Sequence, residues 1–240
     1  MQTKTNYTLK IERGLTKLIT LHEPKGSSKV FVYPSIGPNT YQNVGREILK
    51  QNYKLPEANE TASLLHAAYL SELKDEPEFQ HVREILKNQW LWVFNRKLWA
   101  DNGVYTIFDP TAQGLNEELT VEHLEKRLNG GKELKGIEVR MSEDNTVRFA
   151  PKGSYTLGEH TSESLAKDGN VISEYLQEGA EKLGETAETF NRNPYVWGLN
   201  IDEGANPILR VSAVVDCVGR LLVDGNLFGN GRDGHAFGVL

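Results

Sequence analysis

Apolar and polar positions change their period several times along this chain, and each change marks an element. From 39 to 90 apolar residues recur every three to four positions, the spacing of helices that bury one face. The stretch "GPNTYQNVGREILKQN" predicts a first helix capped by Asn39 or Thr40, with Val44, Ile48 and Leu49 turned inward. "LPEAN" then breaks the chain. Asn59 caps a second helix whose apolar face runs Ala62, Leu65, Tyr69 and Leu73, and Pro77 opens a third with Phe79, Val82, Ile85 and Leu86. A strand, "KVFVYPSI", precedes this helical layer.

At "WLWVFNRKLWADNGVYTIFDP" the pattern becomes aromatic and β-branched, which predicts a hairpin from 90 to 108 turning at Asn102-Gly103, a pair suited to the positive φ angles of a type I′ turn. A short helix, "TVEHLEKRL", ends at Gly130-Gly131. "GIEVRMSEDNTVRFA" alternates around a polar turn and predicts a second hairpin from 137 to 150. Ile137, Val139, Met141, Val147 and Phe149 share its inner face, while Arg140 and Arg148 point outward with Lys152 just beyond.

One long amphipathic helix is predicted from 170 to 190. Apolar or small residues fall at 172, 176, 179, 183, 187 and 190, and Glu174, Glu178, Glu181, Glu185 and Glu188 form a row on the other face. Gly179 lies on the apolar face, where it invites close approach of another backbone. The runs "PYVWGLNI", "ILRVSAVV", "RLLVDG" and "AFGVL" read as short strands. Helices and hairpins mix without regular β-α-β alternation, so the expected class is α+β. The expected architecture is a helical N-terminal layer packed with antiparallel hairpins, the long helix and a β-rich C-terminus. It forms one domain over 1–240, with 129–136 the best place for a subdomain boundary.

Composition narrows the partners. A chain of 240 residues buries an ample core without disulfides or structural metal. Its formal charge of −6 and the lack of any Lys/Arg cluster longer than two residues speak against nucleic acid. No apolar run approaches the roughly 20 residues that span a bilayer, and the first residues carry no secretory h-region, so a cytoplasmic protein with no membrane partner is expected. The single cysteine, Cys217, lies within "SAVVDCVG" and is expected to behave as a small buried hydrophobe.

Candidate chemistry is sparse. The closing stretch "VDGNLFGNGRDGHAFGVL" interleaves Asp224, Asn226, Asn230 and Asp233 with glycines and adds His235. Its oxygen donors suit calcium or another divalent cation, with Asp224, Asn226 and Asp233 as ligands. The phosphate-cradle reading is weaker, since an acid stands where the phosphate would go. Two tight turns of a terminal hairpin explain the same residues without any ligand. His160, in the loop "GSYTLGEHTSESL" beside Glu159 and near Tyr155, is the leading catalytic histidine, with His235 second. Neither a Gly-x-Ser-x-Gly elbow nor a His-x-x-x-His pair is present.

Two classes of function follow. The first is a noncatalytic binding or structural protein that recognises a protein or a small anionic or aromatic ligand through Trp92, Arg96, Arg140, Arg148 and Tyr155. The second is a hydrolase- or lyase-like enzyme, cation-assisted, in which folding brings His160, Asp224, Asp233 and His235 together.

Overall fold

The computed structural model describes residues 8–14, 17–22, 28–116, 118–134 and 136–240. A three-stranded antiparallel sheet comes first, formed by β1 (Thr8–Arg13), β2 (Lys17–His22) and β3 (Ser28–Tyr33) in that order. Then follow β4 (Ile36–Asn39), α1 (Tyr41–Lys50), α2 (Ala58–Leu70), α3 (Pro77–Asn88), β5 (Trp90–Ala100) and β6 (Gly103–Phe108). The middle holds α4 (Val121–Leu128), β7 (Lys132–Leu134), β8 (Val139–Met141), β9 (Val147–Pro151), β10 (Gly158–Glu159), α5 (Ser162–Leu165) and α6 (Gly169–Ala187). The chain ends with β11 (Tyr195–Trp197), β12 (Ile208–Asp216), β13 (Leu221–Leu227) and β14 (Gly234–Ala236). This is the α+β fold that the pattern predicts, with three helices across 39–90.

The helices start where their caps say. Thr40 accepts from the Asn43 amide at the head of α1, and Thr120 accepts from the His123 amide at α4. At α2 the cap is Glu57, in a reciprocal box with Glu60, and not Asn59, which lies inside the helix. Pro77 sits in the first turn of α3, where its missing N–H costs nothing.

The large sheet runs β10-β11-β13-β12-β5-β6-β9-β8-β7, with β14 joining β5 and β4 joining β14. Both faces of its middle strands are covered. Trp92, Phe94, Val211 and Ala213 pack under Tyr41, Val44 and Ile48 of α1, and further along Leu98, Tyr105, Ile107 and Phe149 pack under Leu124 and Leu128 of α4. Leu91, Val93, Trp99, Val104, Met141 and Val214 face the other way, toward α2, α3, α6 and the small sheet. Ten consecutive residues of β5, from Leu91 to Ala100, are therefore buried.

Several local expectations change. The first hairpin forms, but Ala100 pairs with Gly103, so the two-residue loop is Asp101-Asn102 and Gly103 alone takes a positive φ, of 150°. In the second hairpin Met141 pairs with Arg148 and Arg140 with Phe149. Pairs of opposite parity put the odd-numbered residues of the two strands on opposite faces, so Val139 and Met141 join the α6 side while Val147 and Phe149 join the α4 side. Cys217 is exposed in the turn after β12, where Asp216 accepts from the Gly219 amide, and it does not enter the core. The closing strand β14 does not fold back as a terminal hairpin. It inserts antiparallel to β4 and parallel to β5. A Cβ on Gly234 would stand 1.9 Å from the Trp92 ring nitrogen, which accounts for one of the closing glycines.

The long helix is the largest departure. Leu176, with φ 60° and ψ 169°, breaks α6 into two segments on different axes. The carboxylate row is broken with it: Glu174 is fully buried, while Glu178, Glu181, Glu185 and Glu188 stay exposed. Gly179 does lie against another backbone, as a Cβ there would stand 3.1 Å from Asn59 Cα of α2.

Leu176 occupies a region of backbone space that side chains avoid, at a cost of about 1–3 kcal/mol. Leu176→Gly should therefore leave stability within about 1 kcal/mol of the parent, because released strain offsets the lost half-buried side chain. Leu183→Gly, at a fully buried helical position, should cost more than about 3 kcal/mol. Urea unfolding of the two variants checks this, and equal losses would contradict it.

Candidate functional site

The residues proposed from the sequence do not gather in one place. Trp92 and Arg96 do lie on one side of β5, but under α1 and not at the surface. The Trp92 ring N–H donates to Asn39 O at 3.1 Å, and its ring meets Tyr41 edge-on at 5.8 Å. Arg96 is buried 3.9 Å from Asp109, whose carboxylate also accepts from the Tyr41 hydroxyl and the Gln113 and Gly114 amides. Arg140 is half-exposed but engaged by both oxygens of Glu125, at 2.9 and 2.7 Å, above the Phe149 ring. Tyr155 packs edge-on against Trp99, and burial pushes its hydroxyl up to about 12.

The histidines are also apart. His160 follows β10 and His235 lies in β14, so five strand spacings of about 4.8 Å, about 24 Å along the sheet, separate them. Both nitrogens of His160 are occupied, by Thr156 O at 2.9 Å and Ser164 Oγ at 3.2 Å, which makes it a post for the loop that precedes α6. His235 Nδ1 meets Ser35 Oγ at 3.1 Å, and burial with the nearby His81 lowers its pKa.

The cation loop does not assemble either. Asp224 is buried in β13 and accepts from the Asn226 amide, while Asp233 is exposed. The Asn226 side-chain oxygen already accepts from the Arg210 guanidinium at 3.1 Å, a cation where a metal would compete. Among the described residues no group of three or more His, Cys, Asp or Glu is placed to hold a metal ion.

What the fold does bring together is a polar row inside the protein. Lys97 pairs with Thr106, and Thr106 with Arg148, across the adjacent strands β5, β6 and β9. All three side chains rise toward the first segment of α6. Lys97 and Glu174 are each 0% exposed, with Nζ 2.8 Å from Oε2, and the same ammonium donates to Asn170 Oδ1. Thr106 and Ser173 join hydroxyls at 3.0 Å. The Arg148 Nη1 donates to Ser173 O at 3.4 Å and Glu174 O at 3.0 Å, carbonyls that lie just before the break at Leu176. A cation at the end of a helical segment also complements its dipole. Arg148 is thus turned inward, against expectation, because the broken helix supplies acceptors there.

Not every polar atom of this interior is satisfied. Arg148 Nε, Asn95 Nδ2, Ser212 Oγ, the Tyr175 hydroxyl and Glu174 Oε1 have no hydrogen-bond partner among the described residues. Phe94 and Asn95 form a bulge in β5 opposite β12, and Ser212 pairs with Val93 beside it. Burial raises Asp224 to about 6, with a smaller push from Glu174, and lifts Tyr175 well above the usual tyrosine range. No sequence period marks this site, since its residues come one or two at a time from β5, β6, β9 and β12 to meet four from α6.

Removing either member of the Lys97–Glu174 pair strands a buried charge, which costs about 3–5 kcal/mol. Glu174→Gln and Lys97→Met should each destabilise on that scale, and the double variant by less than the sum. For Asp224, a folded pKa near 6 lies above the usual carboxylate value, so ionisation opposes folding and stability falls as pH rises through about 4 to 6. Asp224→Asn should therefore gain about 2 kcal/mol over the parent at pH 7.5 and nothing at pH 4, read by urea unfolding at both pH values. No protein-family model, curated protein or solved structure matches this chain.

Proposed function

We propose that this chain is a noncatalytic binding protein for a small carboxylate-bearing molecule, taken up at the break in α6. The observation that carries the reading is the unsatisfied set around Lys97 and Glu174. Arg148 Nε and Asn95 Nδ2 are donors, the Ser212 and Tyr175 hydroxyls can donate, and the acceptors left over are the Glu174 carboxylate, whose Oε2 is held by the Lys97 ion pair, and Gln177 Oε1. A donor-rich interior suits an acceptor-rich guest.

Stability alone does not explain such a site. Buried ion pairs are often matched or bettered by well-packed apolar residues, and each unmade buried hydrogen bond costs about 1–3 kcal/mol. A strained residue at the same place fits the tendency of strain to collect at ligand clamps. Uptake requires the half-exposed Leu176 and Gln177 segment to move aside.

Asp224, buried and poised near 6, favours a second reading, a lyase- or hydrolase-like acid–base enzyme. In that case the guest would be converted, and mass spectrometry of the bound compound after incubation separates the two readings.

Among the described residues no helix is long and apolar enough to cross a membrane. A reducing cytoplasm suits the lone exposed thiol of Cys217, and neither nucleic acid nor a lipid surface is a partner in this reading.

The test is thermal unfolding with acetate, malonate, succinate, glutarate, citrate and inorganic phosphate at millimolar concentrations. A guest that binds only the folded state raises the midpoint, by about 2.7 kcal/mol of stabilisation at a hundredfold excess over Kd. One carboxylate should raise it in the parent and not in Ser212→Ala or Asn95→Leu. No rise with any of them would leave the unsatisfied atoms to buried water and end the proposal.

A further inference from the structure

The geometry points to a second, surface site: an aromatic platform formed by Tyr195 and Trp197 that binds the apolar face of sugar rings in a neutral glycan chain. The platform stands on β11, next to the two-residue edge strand β10. Residues two apart on a strand share a face, so both rings project to the same side, with centroids 5.8 Å apart and planes tilted by 39°. That separation is close to the spacing of neighbouring rings in an extended sugar chain. Trp197 is 49% exposed, whereas Trp92 and Trp99 are buried.

A polar fringe borders the rings. Glu159 pairs across the edge with Tyr195. Its carboxylate accepts from Asn193 Nδ2 at 3.1 Å and lies 3.4 Å from Arg220 Nη2. The Arg220 guanidinium stands over the Tyr195 ring at 5.6 Å and is itself mostly buried. The fringe thus offers an exposed carboxylate acceptor and an amide beside the two rings, with Arg220 packed on one face of Tyr195 and holding Glu159 in place. Vicinal hydroxyls need donors and acceptors together, and the C–H face of a pyranose stacks on an aromatic ring.

Other occupants fit less well. A nucleic acid strand would bring phosphates to the Glu159 carboxylate on a chain of net charge −6. The platform is too small for a stable protein interface, which needs roughly 800 Å² from each partner.

Titration with cellohexaose, maltohexaose, xylohexaose and chitohexaose, followed by tryptophan fluorescence and calorimetry, tests the proposal. At least one chain should bind, with affinity at least tenfold weaker in Trp197→Ala and severalfold weaker in Glu159→Gln. The exposed position of Trp197 should leave the unfolding midpoint of Trp197→Ala close to the parent's, so the loss reports on binding. The proposal is overturned if none of the four binds at millimolar concentration, or if Trp197→Ala binds as well as the parent. It is equally overturned if Trp197 is required for single-stranded DNA binding at low salt or for self-association in sedimentation.

Discussion

Strand β5 is paired along both edges and covered on both faces, so every polar group it carries must find its partner inside the protein. Its middle, Asn95-Arg96-Lys97, is the most polar part of an otherwise apolar run. Alternation sends Arg96 toward Asp109 and Tyr41 under α1, and Lys97 toward Glu174 and Asn170 of α6. Layers on opposite faces of the sheet are thereby positioned by neighbouring residues of one strand.

The break in α6 follows from the same constraint. An unbroken helix with Glu174 on its solvent face could not meet Lys97. Turning Glu174 inward requires a change of axis, and Leu176 absorbs it in a strained conformation. Arg148, on the next strand but one, donates to the carbonyls of Ser173 and Glu174 just before the break. Charge, strain and capping therefore form one arrangement. Its cost in desolvation is large, and its unsatisfied donors are what distinguish it from an ordinary buried ion pair.

Interior and edge of the large sheet carry different chemistry. Inside, the donors are desolvated and preorganised, suited to a compact charged guest. At the β11 edge, aromatic faces and an exposed carboxylate network suit a neutral, extended one. His160, between the two, holds the connection from β10 into α6 through Thr156 and Ser164.

The amino-acid sequence by itself determined the α+β class, the three helices before β5, both hairpins and the strands β11 to β13, but not the closing segment, where only Ala236 of the run "AFGVL" enters a strand. Those features rest on local period, caps and turn residues, which need no knowledge of distant neighbours. It did not determine which faces are exposed. Trp92, Arg96 and Arg148 look like surface residues when a hairpin is read alone, yet a sheet covered on both sides hides both alternating sets. The parity of the second hairpin depended on a register that only the folded strands define. The turn at Leu176 carries no glycine or proline to announce it, because the force that bends α6 comes from Lys97, some eighty residues away in sequence. The candidate site was illegible for the same reason: its residues come from five separate elements, and only tertiary packing puts a lysine and an arginine beneath the broken helix that carries the glutamate.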